Sequence, residues 1–299
     1  MFDQNIKFSL IICTLNRTNI LKECLHSISL SKYKNIEIIV VDQSQNSSTK
    51  ALVLNELTLN IKYIHIEKKG LSNARNIAIK HSTGNYIALI DDDAYYDEYY
   101  FLKAYECIKR NMNSKLVYSG FIFDNLKNQP FCKYKSIKNR FKFNVIDVFK
   151  FAPSAGLIIP KTLFSECGYF DTEFGCGSYF GSSEETDLLL RALKRHYIVQ
   201  YNENMKLNHP ILQTSDYNSL YSVNYKKVAS YAFGTGALIR KHICGRFFVP
   251  ILYTFVLLSL KKLIKLLIHR RSEDYYVAIS FIKGFVSYKK MVKTINHLY

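Results

Sequence analysis

The sequence predicts an α/β fold, a mostly parallel sheet flanked by helices, with a helical, basic and apolar C-terminal segment. Three observations predict it. Short β-branched runs alternate with amphipathic stretches over the first part of the chain, as in strands joined by crossover helices. The residues just after those runs are polar, where open parallel sheets gather their ligands. The positive charge is not spread evenly: residues 220–299 hold fourteen Lys and Arg against Glu273 and Asp274.

Four runs read as strands: Phe8 to Thr14, Ile36 to Val41, Ile61 to Ile66 and Tyr86 to Ile90. Between the first two, Ile20, Leu21, Cys24, Leu25 and Ile28 recur at helical spacing behind Thr18, a natural N-cap. Gly70 opens a further helix over Leu71 to Lys80, and Thr83-Gly84-Asn85 turns into Tyr86-Ile87-Ala88-Leu89-Ile90, apolar enough to be a central strand buried on both faces. A strand over Leu116 to Phe123, a basic aromatic stretch to Lys150, a Gly/Ser-rich loop over Gly175 to Ser183 and a helix from Glu184 to Arg195 follow. Residues 1–219 are expected to form one domain and 220–299 a helical, membrane-associating segment.

With 299 residues, 48% hydrophobic and 22% charged, the chain can bury a sizeable core and is neither disordered nor wholly membrane-embedded. Its seven scattered cysteines include no C-x-x-C pair, which argues against a zinc site and for reduced thiols. The N-terminus shows no basic stretch followed by an apolar one, so a cytoplasmic protein is expected. The net charge of +17 raises the possibility of a non-catalytic module that binds membranes or polyanions. Because the surplus sits on an apolar segment and not beside the polar strand ends, no nucleic-acid partner is expected. No glycine-rich phosphate cradle follows the first strand, which argues against P-loop and dinucleotide-binding enzymes, and Ser182-Ser183 is not in a nucleophile elbow.

The chemistry-bearing residues are mostly acidic. Asp91-Asp92-Asp93 ends the central strand, and three adjacent carboxylates repel unless a divalent cation compensates them; oxygen ligands suit Mg2+ or Mn2+. The alternative is a solvated turn capping a helix near Asp97. Ser182-Ser183-Glu184-Glu185-Thr186-Asp187 offers either first-turn acids that suit the helix dipole or a general base facing a cleft. His209, before Pro210, is a lone histidine that could join the carboxylates as a metal ligand. Arg75, in the first turns of a helix, opposes the macrodipole unless an anion lies beside it, and a diphosphate would be one.

In series, these pieces resemble the family 2 glycosyltransferases with a GT-A (Rossmann-like) fold, over about residues 7–210. Ser9 to Arg17 looks like the family's first strand and nucleotide loop, Glu37 to Asp42 like its second strand, and Gly70 to Asn76 like its arginine-bearing helix start. Tyr86 to Asp93 is similar to the strand with the Asp-x-Asp motif. Phe170 to Gly175 with Glu184 to Leu188 is similar to the acceptor region and Glu-Asp helix start, Glu185 standing where the family has aspartate.

The resemblance implies single-displacement glycosyl transfer with inversion, from a nucleotide-sugar donor to a glycan or lipid-linked acceptor, in surface polysaccharide or glycolipid assembly. Asp93 would be the principal ligand of Mn2+ or Mg2+, helped by Asp91 and His209. Thr14, Asn16, Arg17, Asp42, Arg75, Asp91 and Asp92 would hold the nucleotide, and Glu185, or Glu184 beside it, would be the base. The acceptor would enter over Ser154-Ala155-Gly156 and the glycine-rich loop. Nucleotidyltransferases share this kind of sheet but more often carry a glycine-rich, basic loop after the first strand, which Thr14-Leu15-Asn16-Arg17 is not. The apolar run Phe247 to Leu260 is shorter than the roughly 20 residues that span a bilayer. Its continuation puts Leu263, Ile264, Leu267 and Ile268 on one face among Lys261, Lys262, Lys265 and Arg270, as in a helix lying on an anionic inner membrane surface; a packed core helix is the alternative.

Overall fold

The computed structural model describes residues 6–111, 114–125, 127–132, 142–209, 220–269 and 272–296. The first half runs β1 (Phe8–Thr14), α1 (Thr18–Ser29), β2 (Ile36–Asp42), α2 (Ser48–Asn55), β3 (Ile61–His65), α3 (Leu71–His81), β4 (Tyr86–Asp91), β5 (Tyr95–Tyr96) and α4 (Tyr100–Asn111). It continues through β6 (Leu116–Asp124), β7 (Gln129–Pro130), β8 (Lys142–Phe143), α5 (Val145–Phe151), β9 (Leu157–Pro160), α6 (Thr162–Cys167), α7 (Glu184–Lys194) and β10 (Ile198–Asn208). Three helices end the described chain: α8 (Leu220–His242), α9 (Phe248–His269) and α10 (Ser272–Asn296).

The sheet order is β3-β2-β1-β4-β9-β6-β10-β5, with β7 on β6 and β8 on β10. The four strands foreseen from the β-branched runs are parallel neighbours, and β9 then runs antiparallel to both β4 and β6. Register matters for the site. Thr14 is opposite Asp42, and Cys13 is opposite Asp91, so the polar ends of three strands share one edge.

Two apolar clusters cover the faces of the sheet. One joins Phe8, Leu10 and Ile12 to Leu21 and Leu25 of α1 and Tyr100 and Phe101 of α4; the other joins Ile11, Ile39 and Leu89 to Ala74 and Ala78 of α3 and Leu188 and Leu189 of α7. Strand alternation produces this division, since successive side chains point to opposite faces. Two local readings are corrected. Thr18 is the first residue of α1, with Arg17 at the N-cap and no side-chain cap bond; the Thr18 hydroxyl meets that of Thr49 at 3.2 Å instead. The helix expected near Asp97 starts at Tyr100, and Asp97 accepts from the Tyr99 N–H at 2.9 Å, closing the turn before it.

A third cluster crosses residue 219. Ala232, Ala237, Leu238 and Ile239 of α8 pack with Phe174, Phe180, Leu190 and Val145, together with Ile251 of α9 and Phe281 of α10. The two expected segments therefore share a core. Helices α8 and α10 meet backbone to backbone: a Cβ on Gly284 would lie 1.9 Å from the Phe233 carbonyl oxygen. Gly284→Ala is therefore expected to destabilise the protein by about 1–3 kcal/mol, the typical cost of overpacking. Chemical denaturation checks this; a change below about 0.5 kcal/mol, the range of neutral surface substitutions, would contradict the close crossing.

Candidate active site

The site lies on the edge where β1, β2 and β4 end. Beyond β4 the chain passes Asp91, Asp92 and Asp93 and then pairs as β5 with the end of β10, Tyr95 opposite Asn208 and Tyr96 opposite Leu207. This pairing delivers His209, whose N–H donates to the Phe123 carbonyl at 2.9 Å, to the aspartate turn. A shift in register between Asn202 and Lys206 lets β10 follow β6 that far. His209 Nε2 is 3.3 Å from an oxygen of Asp91 and 3.3 Å from one of Asp93. One donor atom from each of Asp91, Asp93 and His209 lies within 4.8 Å of the others, and all three are partly exposed. Two carboxylates and an imidazole fit a divalent cation of the magnesium or manganese kind.

Asp92 points elsewhere. It accepts from the Thr14 hydroxyl at 2.7 Å and from Arg17 Nη1 at 2.9 Å, while Arg17 also reaches Asp93 at 3.1 Å. Burial raises the Asp92 carboxyl above its ordinary value, against the lowering effect of Thr14 and Arg17. Burial acts likewise on Asp91, but bonds from His209 and the charges of Arg75, His209 and Arg17 outweigh it and bring Asp91 below the usual value. Asp91 is thereby held in its ionised form, whereas Asp92 ties the β1 loop to the β4 turn.

Arg75 is 1% exposed. Its guanidinium donates to Glu184 at 2.9 Å, to Asp91 at 3.2 Å and to the Ser154 hydroxyl at 3.0 Å, and it lies 5.6 Å from the Phe170 ring centroid. The anion expected beside Arg75 is thus supplied by the protein. Arg75 is an internal strut between the aspartate turn and the start of α7, its donors facing these acceptors. Thr14, Asp42 and Asp92 are likewise buried and bonded within the protein. Asp42 accepts from the Tyr63 hydroxyl at 2.8 Å and the Ser44 N–H at 2.9 Å. Asn16 and Arg17 remain exposed at this edge, Asn16 with a φ of 56° that an asparagine tolerates well.

The two candidate bases are in different situations. Glu184 is buried and held by Arg75. Glu185 is partly exposed and forms no salt bridge among the described residues. Loss of hydration around its carboxyl, then the neighbouring Glu184 charge, raise it well above the usual carboxylate range, with Arg75 only partly offsetting them. Asp187, expected to be a simple first-turn acid, is fully buried and paired with Arg191, Lys241 and His242. Lys241 and His242 carried no signal in the sequence, since their partner Asp187 is dozens of residues away.

Comparison with known proteins agrees with this architecture. Residues 9–155 match the family described as "Glycosyl transferase family 2". The chain is 35% identical over 104 residues to "Glycosyltransferase GlyA" of Streptococcus pneumoniae, covering 34% of this chain and 15% of that protein. It is 30% identical over 99 residues to "Succinoglycan biosynthesis protein ExoM" of Rhizobium meliloti, covering 31% of this chain and 32% of that protein. It spans about half or less of the length of several curated relatives that it matches. The solved mannosyltransferase PcManGT from Pyrobaculum calidifontis, in complex with GDP-Man and Mn2+, superposes with a TM-score of 0.63 at 14% identity, covering 100% of this chain and 82% of that one. The chain belongs to the family 2 glycosyltransferases and has the GT-A fold.

Two expectations follow from the geometry. Arg75→Met leaves Glu184 buried without its partner and should cost about 3–5 kcal/mol, read by denaturant titration; a loss under about 1 kcal/mol would show that the strut is not needed. A carboxyl whose folded pKa is raised stabilises fully below its unfolded pKa and loses that contribution as pH rises through the folded one. Glu185→Gln should therefore raise the melting temperature of the metal-free protein above neutral pH and not at pH 4. An unchanged difference across that range would mean that Glu185 titrates normally.

Proposed function

We propose that this chain transfers a glycosyl unit from a nucleotide-diphosphate sugar to an acceptor hydroxyl with inversion at the anomeric carbon. The observation that carries the reading is the convergence of Asp91, Asp93 and His209 at the carboxyl edge of the sheet, with Glu185 linked to that turn through Glu184 and Arg75. PcManGT, described with GDP-Man and Mn2+, shares the fold and supports a nucleotide-sugar donor and Mn2+ or Mg2+. Such a cation, when bound, stabilises negative charge developing on the departing diphosphate. Asp91 and Asp93 would supply the anionic ligands, and His209 would add a neutral nitrogen. Exposed Asn16 and Arg17 border the nucleotide side of the edge.

Glu185 takes the proton from the acceptor hydroxyl. Its raised pKa makes it a stronger base than an ordinary carboxylate, and the turn at Ser154-Ala155-Gly156 with the loop from Gly175 to Ser183 borders the acceptor's path. A role in surface polysaccharide or glycolipid assembly accords with the succinoglycan assignment of ExoM. Asp93→Asn should abolish manganese-dependent donor binding in calorimetric titration, and Asp91→Asn should weaken it; unchanged binding by the Asp93 variant refutes the metal assignment. Glu185→Gln should lower turnover by about 10²-fold or more with donor affinity nearly intact, whereas the same loss in Glu184→Gln alone would move the base by one residue.

The reading includes attachment to the anionic cytoplasmic face of a membrane through α9. Among the described residues no helix is long and apolar enough to cross a membrane. Helix α9 nevertheless exposes Leu263, Ile264, Leu267 at 66% and Ile268 at 69%, beside exposed Lys261. This is the pattern of a helix that lies in a lipid interface. Lys262 turns instead toward the Phe281 ring at 5.1 Å, and the Lys265 side chain and Arg270 lie outside the described residues. Replacing Leu263, Ile264, Leu267 and Ile268 by serine should release the protein from phosphatidylglycerol vesicles in flotation. Equal flotation of both forms rejects the surface. Truncation near residue 220 is a poorer test because α8 belongs to the core.

A further inference from the structure

Helix α8 grips the catalytic turn at two places. Upstream, the Ser182 hydroxyl donates to the Tyr231 carbonyl at 3.1 Å, and a Cβ on Gly234 would come within 2.4 Å of that hydroxyl, so backbone and turn are in direct contact. Ser183, immediately before Glu184, is held at a φ of 75°, a conformation that a serine adopts only when its surroundings impose it. Downstream, the Asp187 carboxylate receives Lys241 Nζ at 2.7 Å and His242 Nε2 at 2.8 Å, both from the last residues of α8, and Arg191 of its own helix at 2.9 Å. Glu184 and Glu185 lie between these two grips.

Lys241 also binds Asp171 at 2.7 Å and lies over the Phe174 ring at 5.1 Å. One ammonium thus joins the loop resembling the acceptor region to the helix that begins with the candidate base. Lys194 donates to His242 Nδ1 at 3.1 Å, leaving Nε2–H to donate to Asp187. That arrangement describes a neutral imidazole, and burial accordingly holds His242 below its ordinary value despite the Asp187 bond. A neutral histidine adds direction to the Asp187 site without adding another buried charge.

We propose that Lys241 and His242 are positioning residues which, through Asp187, fix the first turn of α7 and so set where Glu185 stands relative to the acceptor loop. The proposal rests on the reading of Glu185 as the base. It makes α8 part of the catalytic framework and not a tether. Neither residue touches the donor-binding edge, so their loss should alter turnover and acceptor use while donor affinity is retained.

The test compares full-length Lys241→Met, Lys241→Arg and His242→Gln with the parent protein by amide hydrogen exchange over residues 171–176 and 184–188, measured without substrate. Faster exchange of these amides in Lys241→Met and His242→Gln, with protection restored in Lys241→Arg, is the expected result. Exchange at the parent rate in the folded variants overturns the proposal. In turnover, Lys241→Met should lose up to about 10²-fold in kcat at constant donor KM, as expected when a reacting group is misplaced by a fraction of an ångström to an ångström. An equal kcat with only a lowered melting temperature would show a structural role and overturn it. Should Lys241→Met not fold, His242→Gln and Lys241→Arg carry the same comparison, and parent-like exchange and kcat in both overturn it. Faster exchange together with full activity of Glu185→Gln would leave the clamp standing and refute the assignment of the base.

Discussion

A single buried guanidinium decides the geometry around which this site is built. Arg75 has no water to hydrate it, so its charge must be met by carboxylates, and those available are Asp91 at the end of β4 and Glu184 at the start of α7. Bringing them to one cation fixes the distance between a strand end and a helix start that are far apart in sequence. Removing either partner would leave an uncompensated charge in a medium that solvates it poorly. The Ser154 hydroxyl completes the set and fastens the turn before β9 to the same point. The end of β4, the turn before β9 and the start of α7 are thereby referred to one atom group.

The carboxylate edge depends on strand register as well. Neighbouring strands β1, β2 and β4 end within a residue of one another, with Thr14 opposite Asp42 and Cys13 opposite Asp91. The short β5 then pairs with β10 and brings His209 between Asp91 and Asp93. A strand of two residues contributes little stability, yet its pairing determines where an imidazole from another part of the chain arrives. The middle aspartate faces away because Thr14 and Arg17 claim it. The turn that begins after Asp91, closed by the Ala94 N–H donating to the Asp91 carbonyl, separates the roles of three identical neighbours.

The C-terminal helices combine two tasks in one structure. Through Ala232, Ala237, Leu238 and Ile239, helix α8 belongs to the same apolar cluster as the glycine-rich loop, and its last turn meets Asp187. Helix α9 contributes Ile251 to that cluster while leaving much of its apolar surface uncovered. A helix with one face in the core and the other exposed is suited to join an outer surface to the interior. Its charge is located accordingly, with the basic surplus on this segment.

By itself the sequence determined the local architecture. β-branched runs bounded by turn residues identified β1 to β4, helical spacing identified α1, turn residues and first-turn acids pointed to α3 and α7, and the aspartate triplet marked the polar end of β4, because these signals depend only on neighbours in the chain. It also placed an anion next to Arg75, by the helix-dipole argument, but could not say that the anion was Glu184 and Asp91. Nor could it show that Thr14, Asp42 and Asp92 are turned inward, that Glu184 is occupied while Glu185 is free of a salt bridge among the described residues, or that Asp187 meets Lys241 and His242. Those outcomes follow from which distant groups compete for each buried charge. Competition of that kind is settled only when the sheet order and helix packing bring residues such as 75 and 184, or 187 and 241, into the same small volume, where desolvation forces each charge to find its partner.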